Sequence, residues 1–190
     1  DNFTVRELVD LYNQTRVDYL VPMPMNEERL AEYIHAFDID LHSSGVARAD
    51  DGQVLGLSML GVRPPWAWIT RLGVLPAIRR SGTGAALMDF MLAHAQTSGM
   101  EETHLEVIRN NVPAHRLFLK KGFKETEEYL VMRRAPHPAP EPVPCSITWL
   151  DRESALSTLE TYPKHLTWIT ALNSMQNSPD VLGLRVELEN

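Results

Sequence analysis

Hydrophobic positions in this chain switch repeatedly between a period of 3.6 and a period of two, so helices and strands alternate along it. Thr4-Val-Arg-Glu7 is a capping box, and behind it Leu8, Leu11 and Tyr12 fall on one helical face. After a loop containing Val21-Pro-Met-Pro-Met25, a second helix covers about residues 26–37. Residues 46–49 and 54–60 read as a hairpin turned at Asp50-Asp-Gly52. Residues 66–74 are rich in aromatic and β-branched side chains and read as a strand that stops before Pro76. Ala86, Leu87, Phe90, Met91 and Ala95 then recur at helical spacing. Leu105 and Val107 alternate as an inward-facing strand pair. Asn111 is a good helix cap, Pro113 is tolerated in the first turn, Ala114, Leu117 and Phe118 form the buried stripe, and Gly122 closes the helix. Residues 129–133 read as one more strand. Short strands alternating with helices predict an α/β or α+β sheet domain.

The junction between the 66–74 strand and the next helix carries the strongest chemical signal. Gly82 and Gly84 leave no side chain over the first-turn amides of that helix. Those amides have no partner within the helix, and the helix dipole makes that end partly positive. A strand feeding such an end forms a cradle for a pyrophosphate, with Arg79 and Arg80 adding formal charge. The three spaced glycines of the dinucleotide fingerprint and the Gly-Lys-Ser/Thr of the nucleotide-hydrolase loop are both missing. Glycines that serve only tight packing remain the alternative for this motif alone.

A second segment at a fixed distance downstream changes the balance. Val74-x-Pro76, Arg79-x-x-Gly82-x-Gly84, Leu105-Glu-Val107, Asn111-x-x-Ala114 and Leu117-Phe118-x-x-x-Gly122-Phe123 occur in the order and spacing of one family. In these pieces the chain resembles the GNAT superfamily of N-acetyltransferases over about residues 66–123. The resemblance implies a mixed, mainly antiparallel sheet flanked by helices, with a V-shaped splay between the family's fourth and fifth strands. It implies acetyl-coenzyme A as cosubstrate, no metal, and direct attack of a primary amine of a small molecule or peptide on the thioester.

The site residues follow from the same resemblance. The splay beside Leu72, Gly73 and Val74 takes the pantetheine arm, and a backbone amide near Gly73 faces the acetyl carbonyl. Arg79, Arg80, Ser81, Gly82, Thr83, Gly84 and Ala85 cradle the pyrophosphate. Asn111 contacts the arm or caps its helix. Glu106 is the carboxylate best placed to take the amine proton; a solvated residue on a half-exposed strand is its other reading. His104 shares that face, and Asp38, Asp40 and Glu32 lie near loops that bind acceptors in the family. Phe118 departs from the family: its ring is expected against the pantetheine arm, but many members carry a tyrosine there whose hydroxyl protonates the leaving thiolate. Two functions therefore stay open, an active N-acetyltransferase and a catalytically weak or inactive coenzyme A-binding support module.

Composition adds bounds. The 190 residues are 44% hydrophobic and 23% charged, enough for a sizeable core with an ordinary surface. A net charge of −7 argues against sequence-independent nucleic-acid binding and leans toward a cationic substrate. The single cysteine, Cys145, suits a reducing, cytoplasmic setting. No apolar run approaches the roughly 20 residues of a membrane span, so no membrane partner is expected.

Residues 135–144 alternate proline with other residues and read as an extended linker after a domain at 1–134. Beyond it, residues 146–150 suggest a strand, 152–159 a helix and 181–188 a strand, with 183–190 echoing residues 45–52. Residues 145–190 thus resemble the opening half of a second copy of the same fold, as in tandem members of the family. The family normally opens with a strand before the first helix, so either that strand is absent here or the sequence begins inside the domain; a sheet that stops at its first hairpin leads us to expect a further C-terminal part in the natural chain. Packing of a second repeat, or a homodimer, is the expected use of the unpaired edge.

Overall fold

The structure, a computed structural model, describes residues 3–132, 135, 144–161 and 167–188. The chain divides into two compact units, residues 1–123 and 124–190.

The first unit opens with helix α1 (Val5–Gln14), started by the expected capping box: Glu7 N–H donates to the Thr4 hydroxyl, and Thr4 N–H donates to the Glu7 carboxylate at 2.7 Å. Its buried residues are Val9, Leu11 and Tyr12, with Leu8 only half-buried, so the inward stripe is shifted from the one expected. Helix α2 (Glu27–Ala36), capped by Asn26, buries Leu30 and Tyr33.

A four-stranded sheet follows, in the order β1 (Ile39–Arg48), β2 (Val54–Arg63), β3 (Trp66–Val74), β4 (Glu102–His104). The first three strands are antiparallel and β4 runs parallel to β3. Strand β1 starts well before residue 46 because the register slips between Asp40 and Gly45, which breaks the two-residue alternation that a sequence pattern relies on. Residues 56–61 of β2 are buried without a break, the pattern of a strand covered on both faces.

Helix α3 (Thr83–Thr97) covers one face. Leu87, Met88, Met91 and Ala95 are its buried residues, and Met88, Met91 and Ala95 join Leu60, Ala67, Ile69 and Phe118 of helix α4 (Val112–Lys120) in the core. Phe90, expected inside, is 43% exposed and lies over Gly45, where a β-carbon would come within 2.9 Å of its ring. On the other face Tyr33 and Phe37 meet the Trp68 ring, and Trp68 is fully buried.

Two strand expectations are corrected. Only residues 102–104 form strand β4, and the ladder with β3 ends at Trp68–His104; Leu105 and Val107 still pack against the core. Residues 129–132, in the second unit, form no strand, and Leu130, Val131 and Met132 are each more than 80% exposed. Their apolar alternation suits a strand, but a strand needs a partner ladder and none is present among the described residues.

The second unit contains β5 (Cys145–Leu150), α5 (Arg152–Glu160), α6 (Leu172–Asn177) and β6 (Gly183–Leu188). The two strands pair antiparallel from Cys145–Leu188 to Leu150–Gly183. Gly183 is held to glycine by a close approach: a β-carbon there would sit 2.8 Å from that of Ala155. Helix α6 was not predicted, since Leu-Asn-Ser-Met-Gln-Asn has no apolar stripe of useful length. Linker residues 136–143 and the last two residues lie outside the described residues. Among the described residues no helix is long and apolar enough to cross a membrane.

Candidate active site

The site begins where two strands part. Strands β3 and β4 pair only at Trp66–Glu102, Ala67–Thr103 and Trp68–His104, while β3 runs on to Val74. A slot therefore opens beside residues 69–74. Within it β3 carries a bulge: Leu57 pairs with Gly73 and Met59 with Thr70, so Arg71 and Leu72 oppose Ser58 alone. Arg71 takes the left-handed conformation (φ 55), which costs a non-glycine residue about 1 kcal/mol.

The ladder decides which backbone groups face the slot. Leu75 N–H donates to Leu55 O, and polar groups alternate sides along an antiparallel strand. Gly73 therefore turns its N–H and C=O toward β2, and Val74 turns its own to the open side. The Val74 carbonyl accepts from Arg79 Nε at 3.3 Å, as that orientation requires. The role expected for an amide near Gly73 thus moves to Val74. Gly73 is glycine for another reason: a β-carbon there would lie 2.3 Å from the Thr15 hydroxyl oxygen. Thr15 is buried and donates to Tyr12 O at 2.7 Å.

At the end of β3 the chain makes a short 3-10 turn (Pro76–Ile78) and enters α3 through Gly82 (φ 95, ψ −11). No side chain caps this end, and the first helical bond is Ala86 N–H to Gly82 O. The N–H groups of Thr83, Gly84 and Ala85 thus lack helical acceptors. A β-carbon at Gly82 would meet nothing within 4 Å, so the space over the turn is open. Gly84 lies against Leu117 and Val74, where a β-carbon would make ordinary contacts. The Ser81 and Thr83 hydroxyls bond each other at 2.8 Å. These features fit a pyrophosphate cradle.

The two arginines behave differently. Arg79 forms a two-pronged pair with Asp18 (2.6 and 2.7 Å) and donates to Thr15 O, tying the end of α1 to the end of β3. Arg79 holds the Asp18 carboxyl below the usual carboxylate range. Arg80, exposed and left-handed (φ 71), makes no ion pair among the described residues and is the cation available to the cradle.

Across the slot, the Glu106 carboxylate accepts a 2.5 Å hydrogen bond from the Trp68 indole N–H, which ties it to the sheet. Nearby, Tyr33 O–H and Thr70 Oγ1 bond at 2.6 Å. Burial pushes the Tyr33 hydroxyl up to about 12 against the opposing pull of Arg71 and Thr70, so it is a neutral hydrogen-bonding group at ordinary pH. His104 and Glu102 are exposed and pair at 3.3 Å. Asp38 is bound to Arg63 at 2.6 Å, and Asp40 to Ser43 and the His42 amide. These two carboxylates already have partners. Asn111 caps α4 by accepting from Ala114 N–H. Phe118 is 8% exposed and its ring packs at 6.2 Å from that of Phe123, in the core rather than on an open wall.

The resemblance named Glu106, and the sequence pattern singled out Gly82 and Gly84. It missed Tyr12, Thr15, Asp18, Tyr33, Trp68, Thr70 and Arg71, which surround them. Trp68 and Thr70 share one face by strand parity, a signal that was available; the bulge that adds Arg71 to that face has no sequence mark.

The sequence profile described as the Acetyltransferase (GNAT) family matches residues 6–123. A curated relative, GCN5-related N-acetyltransferase 6, chloroplastic, of Arabidopsis thaliana, is 34% identical over 62 residues, 33% of this chain and 22% of that protein. The chain therefore spans about a fifth of that relative's length. Among solved structures, Ard1 from Thermoplasma volcanium matches with TM-score 0.56 and 24% identity, over 66% of this chain and 81% of that one. AAC(6')-Iy in complex with the bisubstrate analog CoA-S-monomethyl-acetylneamine matches with TM-score 0.53 and 19% identity, over 70% and 92%. These structural likenesses are of fold.

Proposed function

The chain belongs to the acetyltransferase (GNAT) family, and from that premise we propose that its first unit transfers an acetyl group from acetyl-coenzyme A to a primary amine. One observation carries the reading: the slot beside β3 and the uncapped amides of α3 meet at the same end of the sheet. Acetyl-coenzyme A, when bound, supplies the acetyl group as an activated thioester and leaves as the free thiol.

The chain's own residues supply position and polarity. The amides of Thr83, Gly84 and Ala85, with Arg80, hold the pyrophosphate at the positive end of α3. The slot between β3 and residues 105–107 orients the arm, and the Val74 N–H polarises the carbonyl under attack. Glu106, fixed by Trp68, accepts the proton that the amine must shed. The thiolate, with a thiol pKa near 8.5, leaves without a dedicated acid, as Phe118 offers none.

A support module remains the second reading, favoured by Phe118 and by the commitment of Arg79 to Asp18. We further propose that the second unit, with its order strand, helix, helix, strand, is the opening half of a second copy. Release of free thiol from acetyl-coenzyme A in the presence of amines tests the main reading. Amine-dependent release that falls with Glu106→Gln supports it, and release independent of every amine contradicts it.

A further inference from the structure

Among the described residues Arg71 has no counterion, and it lies on the side of β3 where Tyr33 and Trp68 meet. The bulge turns it onto the sheet face that carries Trp68 and Thr70, beside Tyr12 of α1 and Tyr33 of α2. Its guanidinium carbon lies 4.1 Å from the Tyr33 ring centroid and 5.2 Å from that of Tyr12. Nη1 donates to the Tyr12 hydroxyl at 2.8 Å. Nε is sealed from solvent with no partner, and Nη2 has no partner but is not sealed. Among the described residues Arg71 forms no ion pair, whereas Arg63 and Arg79 are each paired with an aspartate. A partly buried guanidinium held by two neutral rings keeps its full charge, and stacking fixes its plane, so an incoming oxyanion meets a pre-set donor edge.

The Glu106 carboxylate acts on the same Tyr33 hydroxyl as Arg71 does, with opposite sign. A guanidinium stacked on Tyr33 and a carboxylate bonded to the neighbouring Trp68 thus put both signs of charge around one ring. We propose that Arg71 binds an oxyanion carried by the acceptor, so that the preferred substrate is a small amine bearing a carboxylate or phosphate near its amino group. This rests on the acetyl-transfer reading and names its substrate class. It runs against the lean toward purely cationic acceptors that a net charge of −7 suggests, because recognition depends on the local charge.

The test uses matched pairs on the full chain: amino acids against their α-amides, and O-phosphoethanolamine against ethanolamine. In one pair kcat/KM should favour the anionic member by about 10- to 100-fold, the range for one hydrogen bond to a charged group; the pair identifies the oxyanion. Arg71→Gln should erase that ratio and Arg71→Lys keep part of it. A purely structural role would lower both members equally and leave the ratio intact, which overturns the proposal, as does equal use of both members by the parent. Binding gives a second readout: the Trp68 indole resonance followed on titration with N-acetylglycine, N-acetylglycinamide and O-phosphoethanolamine. Saturation by an anionic probe that is lost in Arg71→Gln supports the site even if no amine is acetylated, in which case the transferase reading alone fails. No saturable shift with any anionic probe, together with no anion preference in turnover, removes the site.

Discussion

Replacing Gly73 with alanine should expose how tightly the slot is built. The new β-carbon would lie 2.3 Å from Thr15 Oγ1, 2.8 Å from Thr15 Cβ and 3.3 Å from Thr15 Cγ2. Thr15 has little freedom to retreat: it is 3% exposed, its N–H is bonded to Leu11 O, and its carbonyl accepts from Arg79. Overpacking of this kind costs about 1–3 kcal/mol, and rotating the hydroxyl away from Tyr12 O costs roughly another 1 kcal/mol. Reduced freedom of the unfolded chain offsets about 0.4–1 kcal/mol of this. The net loss expected is about 1–3.5 kcal/mol, read from urea denaturation with the slope unchanged. In a Thr15→Gly background the same substitution should cost under about 0.5 kcal/mol, since the obstructing side chain is gone. Equal costs in the two backgrounds would refute the reasoning, because the strain would then not arise at Thr15.

Glu106→Gln should lower turnover about 10²-fold or more at neutral pH with little change in acetyl-coenzyme A affinity, and the deficit should shrink at high pH where the free amine is abundant; a pH-independent deficit would remove Glu106 as proton acceptor. Phe118→Tyr restores a hydroxyl at the position where the family carries one. If thiolate departure limits the rate, turnover should rise about tenfold or less, at some cost in stability because the ring is buried; unchanged turnover with an intact fold would place the limiting step elsewhere.

What the sequence made legible depends on how local the physics is. The turn into α3 could be read because a residue at φ 95 favours glycine and the helix start lies in the same short stretch. The alternation at residues 105–107 is local too: Leu105 and Val107 pack on the core and Glu106 is exposed, while the role of Glu106 came from the resemblance alone. Arg79 is different. Whether it serves a phosphate or a carboxylate depends on Asp18, 61 residues away, which arrives only when α1 docks. Arg71 is hidden for a related reason: a bulge at a non-glycine residue has no local signature, so simple alternation puts the arginine on the wrong face. Residues 129–132 mislead in the opposite sense, since their alternation is strand-like and the described residues offer no ladder for it.

The central claim is that the α3 turn holds the pyrophosphate of acetyl-coenzyme A, and calorimetric titration of Gly82→Val against the parent tests it most directly. Beyond its two chain neighbours, no atom of the described residues lies within 4 Å of a β-carbon at residue 82, so a side chain there obstructs the ligand rather than the fold, apart from local strain at a positive φ that circular dichroism would register. Two hydrogen bonds to a charged group are together worth roughly 100-fold or more in affinity. The parent should bind saturably and the folded variant more weakly by about that factor. Equal affinity in parent and folded variant would contradict the account.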